Sequence, residues 1–430
     1  MDMNIIKNPA RSSWAELCLR PSSNNPVVLE RVKAIVDRVR KDGDKALRQL
    51  SEEIDKRPLA SIEVSSREID AAYALVSDEV KAAVSEAKKN IAAFHKAQMP
   101  KEISVETAPG VRCIQRPVPI AKVGLYIPGG TAPLFSTVLM LAVPAKIAGC
   151  RELILCTPEG KNGSIAAEVL YTARECGVDR IFRIGGSQAV AAMAFGTESV
   201  PAVDKIFGPG NQYVTTAKQL LGNSAVAIDM PAGPSEVMVL SDGSADPAFA
   251  AADLLSQAEH GADSQVMLVC SSEQDAADIM EEVERQTRVL GREEFVRQSL
   301  SKSRFIVFDD RKDMTDFANE YGPEHLIILT QNPWEIADMI SCAGSVFVGP
   351  YSPESAGDYA SGTNHTLPTC GWARAFSGVN IDSFMRKMTL QELSKEGLGA
   401  LASTIVSMAE AEGLQAHANA VKVRTANGKK

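Results

Sequence analysis

Val123-Gly124-Leu125-Tyr126-Ile127-Pro128-Gly129-Gly130 opens a region where short apolar runs and helical runs begin to alternate. Strand-like segments at 123–127, 153–156, 180–184, 205–207 and 225–228 are separated by helical periodicity at 134–149, 164–176, 187–196 and 210–221. Glycine and proline mark the junctions, as in Gly185-Gly186 and Gly208-Pro209-Gly210. Alternating units of this length predict a mainly parallel sheet with helices on both faces. The alternation then repeats. Strand-like 236–240, 265–270, 304–308, 326–329 and 344–348 are separated by helices near 247–260, 273–290, 312–320 and 333–341. The expected fold class is therefore α/β, with two tandem Rossmann-like domains at 121–233 and 234–379 and a cleft between them.

The flanks differ in texture. Segment 1–120 is expected to be helical with a short hairpin. Val28, Val32, Ile35, Val36 and Val39 recur at helical spacing, and 67–98 is rich in Ala, Glu and Lys. His95 closes that run and reads as a surface or packed residue, while 103–116 reads as two strands around Ala108-Pro109-Gly110. The remainder, 380–430, is a helical tail. Thr389 and Glu392 have capping-box spacing, and an amphipathic run at 398–412 stops at Gly413. A lone helical tail cannot bury its own apolar face, so it must dock on its own body or on a partner subunit.

Composition excludes several function classes. With 430 residues, 45% hydrophobic and 23% charged, the chain is an ordinary globular one. A net charge of −9 argues against nucleic acid as the main partner. The eight cysteines include no C-x-x-C pair, which suits a reducing compartment and argues against a zinc–thiolate cluster. Cys113 and Cys156, the candidates for an aldehyde-dehydrogenase-like nucleophile, read as strand residues and hence as structural thiols. No apolar run of eighteen residues exists, and residues 1–20 have no apolar core of a signal peptide. A cytoplasmic location is expected, with no membrane partner.

Few residues carry titratable chemistry near neutral pH. Asp246-Pro247 starts a helix that Gly261 stops, and Gln257 and His260, three apart, share a face near its end. They read as a polar helix end or as two corners of a metal site. Tyr321-Gly322-Pro323-Glu324-His325-Leu326 sets a carboxylate beside an imidazole at a strand start, the pair needed for acid–base work, or simply a solvated turn. Asp358 and His365 lie in a polar loop at 355–365 that follows the last strand, where open α/β sheets bind ligands. Glu412 and His417 flank Gly413 in the tail. Neither G-x-G-x-x-G nor a P-loop is present, although Pro128-Gly129-Gly130 and Gly185-Gly186 allow close approach of backbone N–H groups to phosphate.

Taken together, the quoted 123–130 motif, Gly208-Pro209-Gly210-Asn211, Asp229-Met230-Pro231-Ala232-Gly233-Pro234-Ser235-Glu236, Gln257-Ala258-Glu259-His260, Gly322-Pro323-Glu324-His325 and Gly362-Thr363-Asn364-His365 resemble the histidinol dehydrogenase family. The likeness runs the length of the chain and includes the tail from Glu392 to His417. It implies an NAD-dependent enzyme with one Zn2+ per subunit, oxidising L-histidinol to L-histidine through histidinal, the last step of histidine biosynthesis. Carried over residue by residue, Gln257, His260, Asp358 and His417 match the zinc ligands. His325 matches the base, and Glu324 the residue that activates water. Ser235, His365 and Glu412 match positions that hold the substrate's amine and imidazole, while Tyr126, Gln188 and Asn211 match NAD-contacting positions. The family's substrate also touches the metal ligands and His325. Family members are homodimers with shared active sites, which would give the tail its partner. The alternatives are a relative oxidising another small alcohol, such as a sulfonated diol, and a non-catalytic metal- or nucleotide-binding protein.

Overall fold

The computed structural model describes residues 5–20, 26–129, 133–160, 162–222, 224–231 and 233–426. Gly130 and Ala232, quoted above, and the first four residues of the leader reading lie outside the described residues. In chain order, β1 (Ile5–Lys7) precedes four helices, and β2 (Ile103–Ala108) and β3 (Val111–Pro119) form a hairpin. Next come β4 (Lys122–Tyr126), β5 (Glu152–Cys156), β6 (Arg180–Phe182), β7 (Lys205–Phe207) and β8 (Ala227–Ile228). β9 (Glu236–Ser241), β10 (Gln265–Cys270), β11 (Arg304–Val307), β12 (His325–Leu329), β13 (Ser345–Val348) and β14 (Met385–Leu393) complete the strands. The chain forms two compact units, Met1–Gln98 with Ile120–Ser383, and Met99–Pro119 with Phe384–Lys430.

The larger unit holds two wholly parallel sheets, ordered β6-β5-β4-β7-β8 and β1-β11-β10-β9-β12-β13. From β4 onward in one and from β9 onward in the other, strands are added first on one side and then on the other. The order reverses between β4 and β7, and between β9 and β12. Helices cover both faces, so β9 and β10 are buried at every residue and read as continuous apolar runs. Val237 and Val239 join one core layer, and Met238 and Leu240 the other. The stripe Val28, Val32, Ile35, Val36 and Val39, on the helix Pro26–Leu50, packs into the core of the first sheet. His95 is fully buried, its Nδ1 2.8 Å from the Ile91 carbonyl oxygen.

Segment 1–120 is not purely helical: Ile5–Lys7 extends the second sheet at its β11 edge. Arg304–Phe305–Ile306–Val307 supplies a ready parallel edge there, which propensity over three residues could not reveal.

In the smaller unit β14, β3 and β2 form an antiparallel sheet, and Gly110 (φ 73°) makes the hairpin turn. The capping-box reading of Thr389 and Glu392 is corrected here. Both lie in β14, opposite Gln115 and Arg112, and Arg112 comes within 3.6 Å of the Glu392 carboxylate. The cap is Ser394, whose hydroxyl accepts from the Gly397 N–H at the start of the helix Lys395–Ala411. Gly413 (φ 75°) then turns the chain into the helix Gln415–Thr425, which packs on Lys395–Ala411. Among the described residues no helix is long and apolar enough to cross a membrane.

Candidate active site

Gly322 (φ 61°) ends the helix Arg311–Tyr321 in the left-handed conformation, and Pro323 prevents its continuation. The chain therefore enters β12 at once, and Glu324 and His325 are buried at its amino end. Alongside lies the amino end of β9, with His325 in register with Val237. The first peptide of β9 addresses both residues. Glu236 N–H donates to Glu324 Oε2 at 2.8 Å, and His325 Nδ1 lies 3.2 Å from the Glu236 carbonyl oxygen.

Two further carboxylates face this pair. The segment expected to be a loop begins as a helix, Glu354–Tyr359, which puts Glu354 and Asp358 on one face. Glu354 Oε1 lies 3.9 Å from His325 Nδ1, and Asp358 Oδ1 lies 3.7 Å from His325 Nε2. His365 follows, with Nδ1 3.0 Å from the Asp358 carbonyl oxygen and 4.0 Å from its Oδ1. His365 Nε2 lies 3.3 Å from Thr137 Oγ1, in the first turn of the helix Phe135–Ala148 that leaves the carboxyl end of β4. The adjacent Asn364 amide donates to the Met140 carbonyl at 2.6 Å. This corrects the expected setting of the 355–365 segment. It does not stay beyond the carboxyl ends of the second sheet, because the chain turns back along the sheet and Leu367 packs on Gly344, just before β13 and beside Glu324. His365 thus lies where the amino end of the second sheet meets the carboxyl end of the first.

Burial raises Glu324 and Glu354 each to about 8, only partly opposed by His325. Burial pulls His325 down, but Glu354, Glu324 and Asp358 outweigh it and raise His325 to about 10. Burial also works to raise Asp358, but His325, His365 and His260 more than offset it, and Asp358 is held low. Glu324 and Glu354 thus hold their protons into the neutral range, while Asp358 beside them stays ionised. His325 Nε2, Glu354 Oε2 and Asp358 Oδ1 are buried without a hydrogen-bond partner among the described residues. Donor atoms of these three residues lie within 4.8 Å of one another, and hard oxygens with one imidazole suit a divalent cation.

That donor group shares only Asp358 with the expected ligand set. Gln257 adjoins it: the amide is best satisfied with its nitrogen donating to Glu354 and its oxygen accepting from Glu236 N–H at 2.9 Å. Asp246 caps the helix Pro247–Ala258 as expected, but that helix ends at Ala258. His260 therefore stands exposed in the following turn, near enough to Asp358 to affect its ionisation. Glu412 and His417 belong to the smaller unit, at the end of Lys395–Ala411 and on Gln415–Thr425, and both are exposed. Glu354 was missed. Its place four residues before Asp358 is the signal that reading the segment as a loop concealed.

Tyr126, Gln188 and Asn211 lie at the carboxyl end of the first sheet. Tyr126 is buried at the end of β4, and its hydroxyl accepts from Gly186 N–H at 3.0 Å, in the first turn of the helix that carries Gln188. Asn211 Oδ1 accepts from the N–H groups of Tyr213 and Val214, capping the helix Gln212–Gly222. Gly208 (φ 125°) is required between them, since a Cβ there would sit 2.0 Å from the Tyr126 carbonyl oxygen. Ser235 immediately precedes β9, and its carbonyl accepts from Gln265 N–H.

The family described as histidinol dehydrogenase matches residues 18–425. Over 422 residues the chain is 56% identical to histidinol dehydrogenase of Bacteroides thetaiotaomicron, covering 98% of this chain and 99% of that one. The Escherichia coli K12 histidinol dehydrogenase is 54% identical over 412 residues, covering 95% of this chain and 94% of its own. A crystal structure of histidinol dehydrogenase from Elizabethkingia anophelis matches with a TM-score of 0.95 at 50% identity, covering 98% of each chain. With matches of this strength over nearly its whole length, the chain belongs to the histidinol dehydrogenase family.

Proposed function

We propose that the protein oxidises L-histidinol to L-histidine, through bound histidinal, by two successive hydride transfers to NAD, ending histidine biosynthesis. The observation that carries this reading is the junction at Thr137 and His365, which sets the carboxyl end of the first sheet against the buried Glu324–His325 pair. A dinucleotide at the former would have its hydride acceptor near the base at the latter. NAD supplies that acceptor, held by Tyr126, Gln188 and Asn211.

His325 takes the hydroxyl proton as hydride leaves the carbinol carbon. Its Nδ1 faces the Glu236 carbonyl, so the neutral ring carries its proton there and leaves Nε2 as the base. Glu324, with one oxygen on Glu236 N–H, takes a proton from the water that adds to the aldehyde before the second oxidation. Burial strengthens it as a base for that role near neutral pH. One zinc per subunit would be held by Gln257, His260, Asp358 and His417, anchoring the substrate's imidazole and amine and offsetting the carboxylates that keep His325 protonated. Ser235, His365 and Glu412 complete the substrate contacts.

The tail 380–430 supports a homodimer in which His417 and Glu412 reach the site of a second copy. Met408 and Val423 on its two helices and Leu414 in the turn between them are exposed, apolar side chains that a partner would cover. The division into a first, NAD-side α/β domain at 121–233 and a second α/β domain at 234–379 is supported by the two parallel sheets, the second of which also takes in Ile5–Lys7. A cytoplasmic site of action fits the eight free cysteines. The test is NADH yield with L-histidinol. Two NADH per substrate are expected; a single one, or turnover only of another alcohol such as a sulfonated diol, would overturn the reading.

A further inference from the structure

The peptide that addresses both Glu324 and His325 is itself held from behind. Glu236 is buried, and its carboxylate accepts from Arg20 Nε at 3.1 Å, from Arg20 Nη2 at 3.0 Å and from Cys370 N–H at 2.7 Å. Arg20 is also fastened to the other strand of the pair. Its Nη2 donates to the Tyr321 carbonyl at 2.7 Å, and its guanidinium lies 3.6 Å from the centre of the Tyr321 ring. Tyr321 ends the helix that feeds Gly322, Pro323 and Glu324, and its hydroxyl donates to Gln265 at the start of β10. One planar, always-charged group thus ties the amino ends of β9 and β12 together.

We propose that Arg20 and Glu236 are a positioning pair for the Glu324–His325 dyad. Neither touches substrate. The bidentate contact sets the angle of the Glu236 peptide, whose N–H orients the Glu324 carboxylate and whose carbonyl selects the Nδ1–H tautomer of His325. The inference rests on the catalytic reading of that dyad. It gives a segment near the N-terminus, Arg20, a role in a reaction whose acid–base residues, Glu324 and His325, come from the second half of the chain. Lysine cannot reproduce the fork, and a neutral replacement strips the buried carboxylate of both Arg20 donors, leaving the Cys370 N–H.

The test uses the full-length enzyme and three variants, Arg20→Lys, Arg20→Met and Glu236→Gln, with His325→Asn as the control for the underlying reading. Arg20→Met and Glu236→Gln should each lower kcat roughly 10- to 100-fold, the scale expected of a sub-ångström misplacement, with KM for histidinol and NAD within about threefold. The double variant should be little worse than either single one, because both remove the same contact. Millimolar guanidinium should restore part of the kcat of Arg20→Met and none of that of His325→Asn. A normal kcat with only a lowered Tm in the Arg20 variants would overturn the positioning role while leaving the dyad intact. The same holds if KM and kcat change in proportion. If Arg20→Met fails to fold, the milder Arg20→Lys decides by the same kcat-against-KM split. Near-normal turnover by His325→Asn would instead overturn the catalytic reading itself.

Discussion

In the first sheet the strand order reverses between β4 and β7, and Tyr126, Gln188 and Asn211 gather at its carboxyl end; in the second it reverses between β9 and β12, yet Glu236, Glu324 and His325 gather at its amino end. The two halves share a connectivity and carry their candidate groups at opposite ends of it. The rule that open parallel sheets bind beyond their carboxyl ends rests on helix N-termini and on the crevice where the order reverses. It fits the first sheet. At the second sheet the same end is lined by Asp242, Asp309 and Arg311, and Asp242 is already committed to the N–H groups of Gln331 and Ser244. Carboxylates there disfavour an anionic ligand, and the titratable groups lie at the other end. Connectivity tells where a site can be, and side chains decide which end is used.

The sharpest way to break this comparison is to remove the proposed base at the amino end. His325→Asn should lower kcat by about 10³-fold or more while NAD affinity, read by titration, changes less than about twofold. A parallel loss of NAD affinity would mean that the two ends are not separable. Stripping the metal with a chelator should come next. Histidinol binding should weaken by roughly 10- to 100-fold and recover on adding zinc, with NAD binding unaffected. At the first sheet, Gly208→Ala puts a Cβ 2.0 Å from the Tyr126 carbonyl at a backbone φ of 125°. The strain costs about 1–3 kcal/mol, so a lowered Tm and a KM for NAD raised roughly tenfold are expected, with KM for histidinol spared. An unchanged KM for NAD would remove the first sheet's carboxyl end from cofactor binding.

Much of the scaffold was legible because its signal is local. The β–α alternation and the Asp246-Pro247 helix start rest on periodicity and capping, and the structure contains them. The stripe from Val28 to Val39 could be read in the same way. What escaped is what only the fold brings together. Glu354 and Asp358 become neighbours through one turn of a six-residue helix, too short for periodicity to register. Thr389 and Glu392 have capping spacing, but pairing with Gln115 and Arg112 makes them strand. Glu236 could not be singled out at all, since its significance lies in the backbone of one strand and the arginine that grips it.

The last contrast concerns pH. Asp253 lies one turn before Gln257 on the helix that returns to the amino end of the second sheet. Burial raises it to about 7, against the pull of the Glu354 N–H that donates to it. Unfolded, it titrates near 3.9, so the folded chain binds this proton more tightly than the unfolded chain does. The associated stability is therefore complete below about pH 4 and is lost as pH rises toward 7, with an upper bound of roughly 4 kcal/mol. Asp253→Asn keeps an acceptor for the Glu354 N–H but cannot ionise. Relative to the parent, the variant should gain roughly 2–5 °C in Tm between pH 5 and pH 8, read by calorimetry. Parallel Tm curves across that range would mean that Asp253 does not carry its proton into the neutral region, and that the amino end of the second sheet is wetter at this helix than its packing implies.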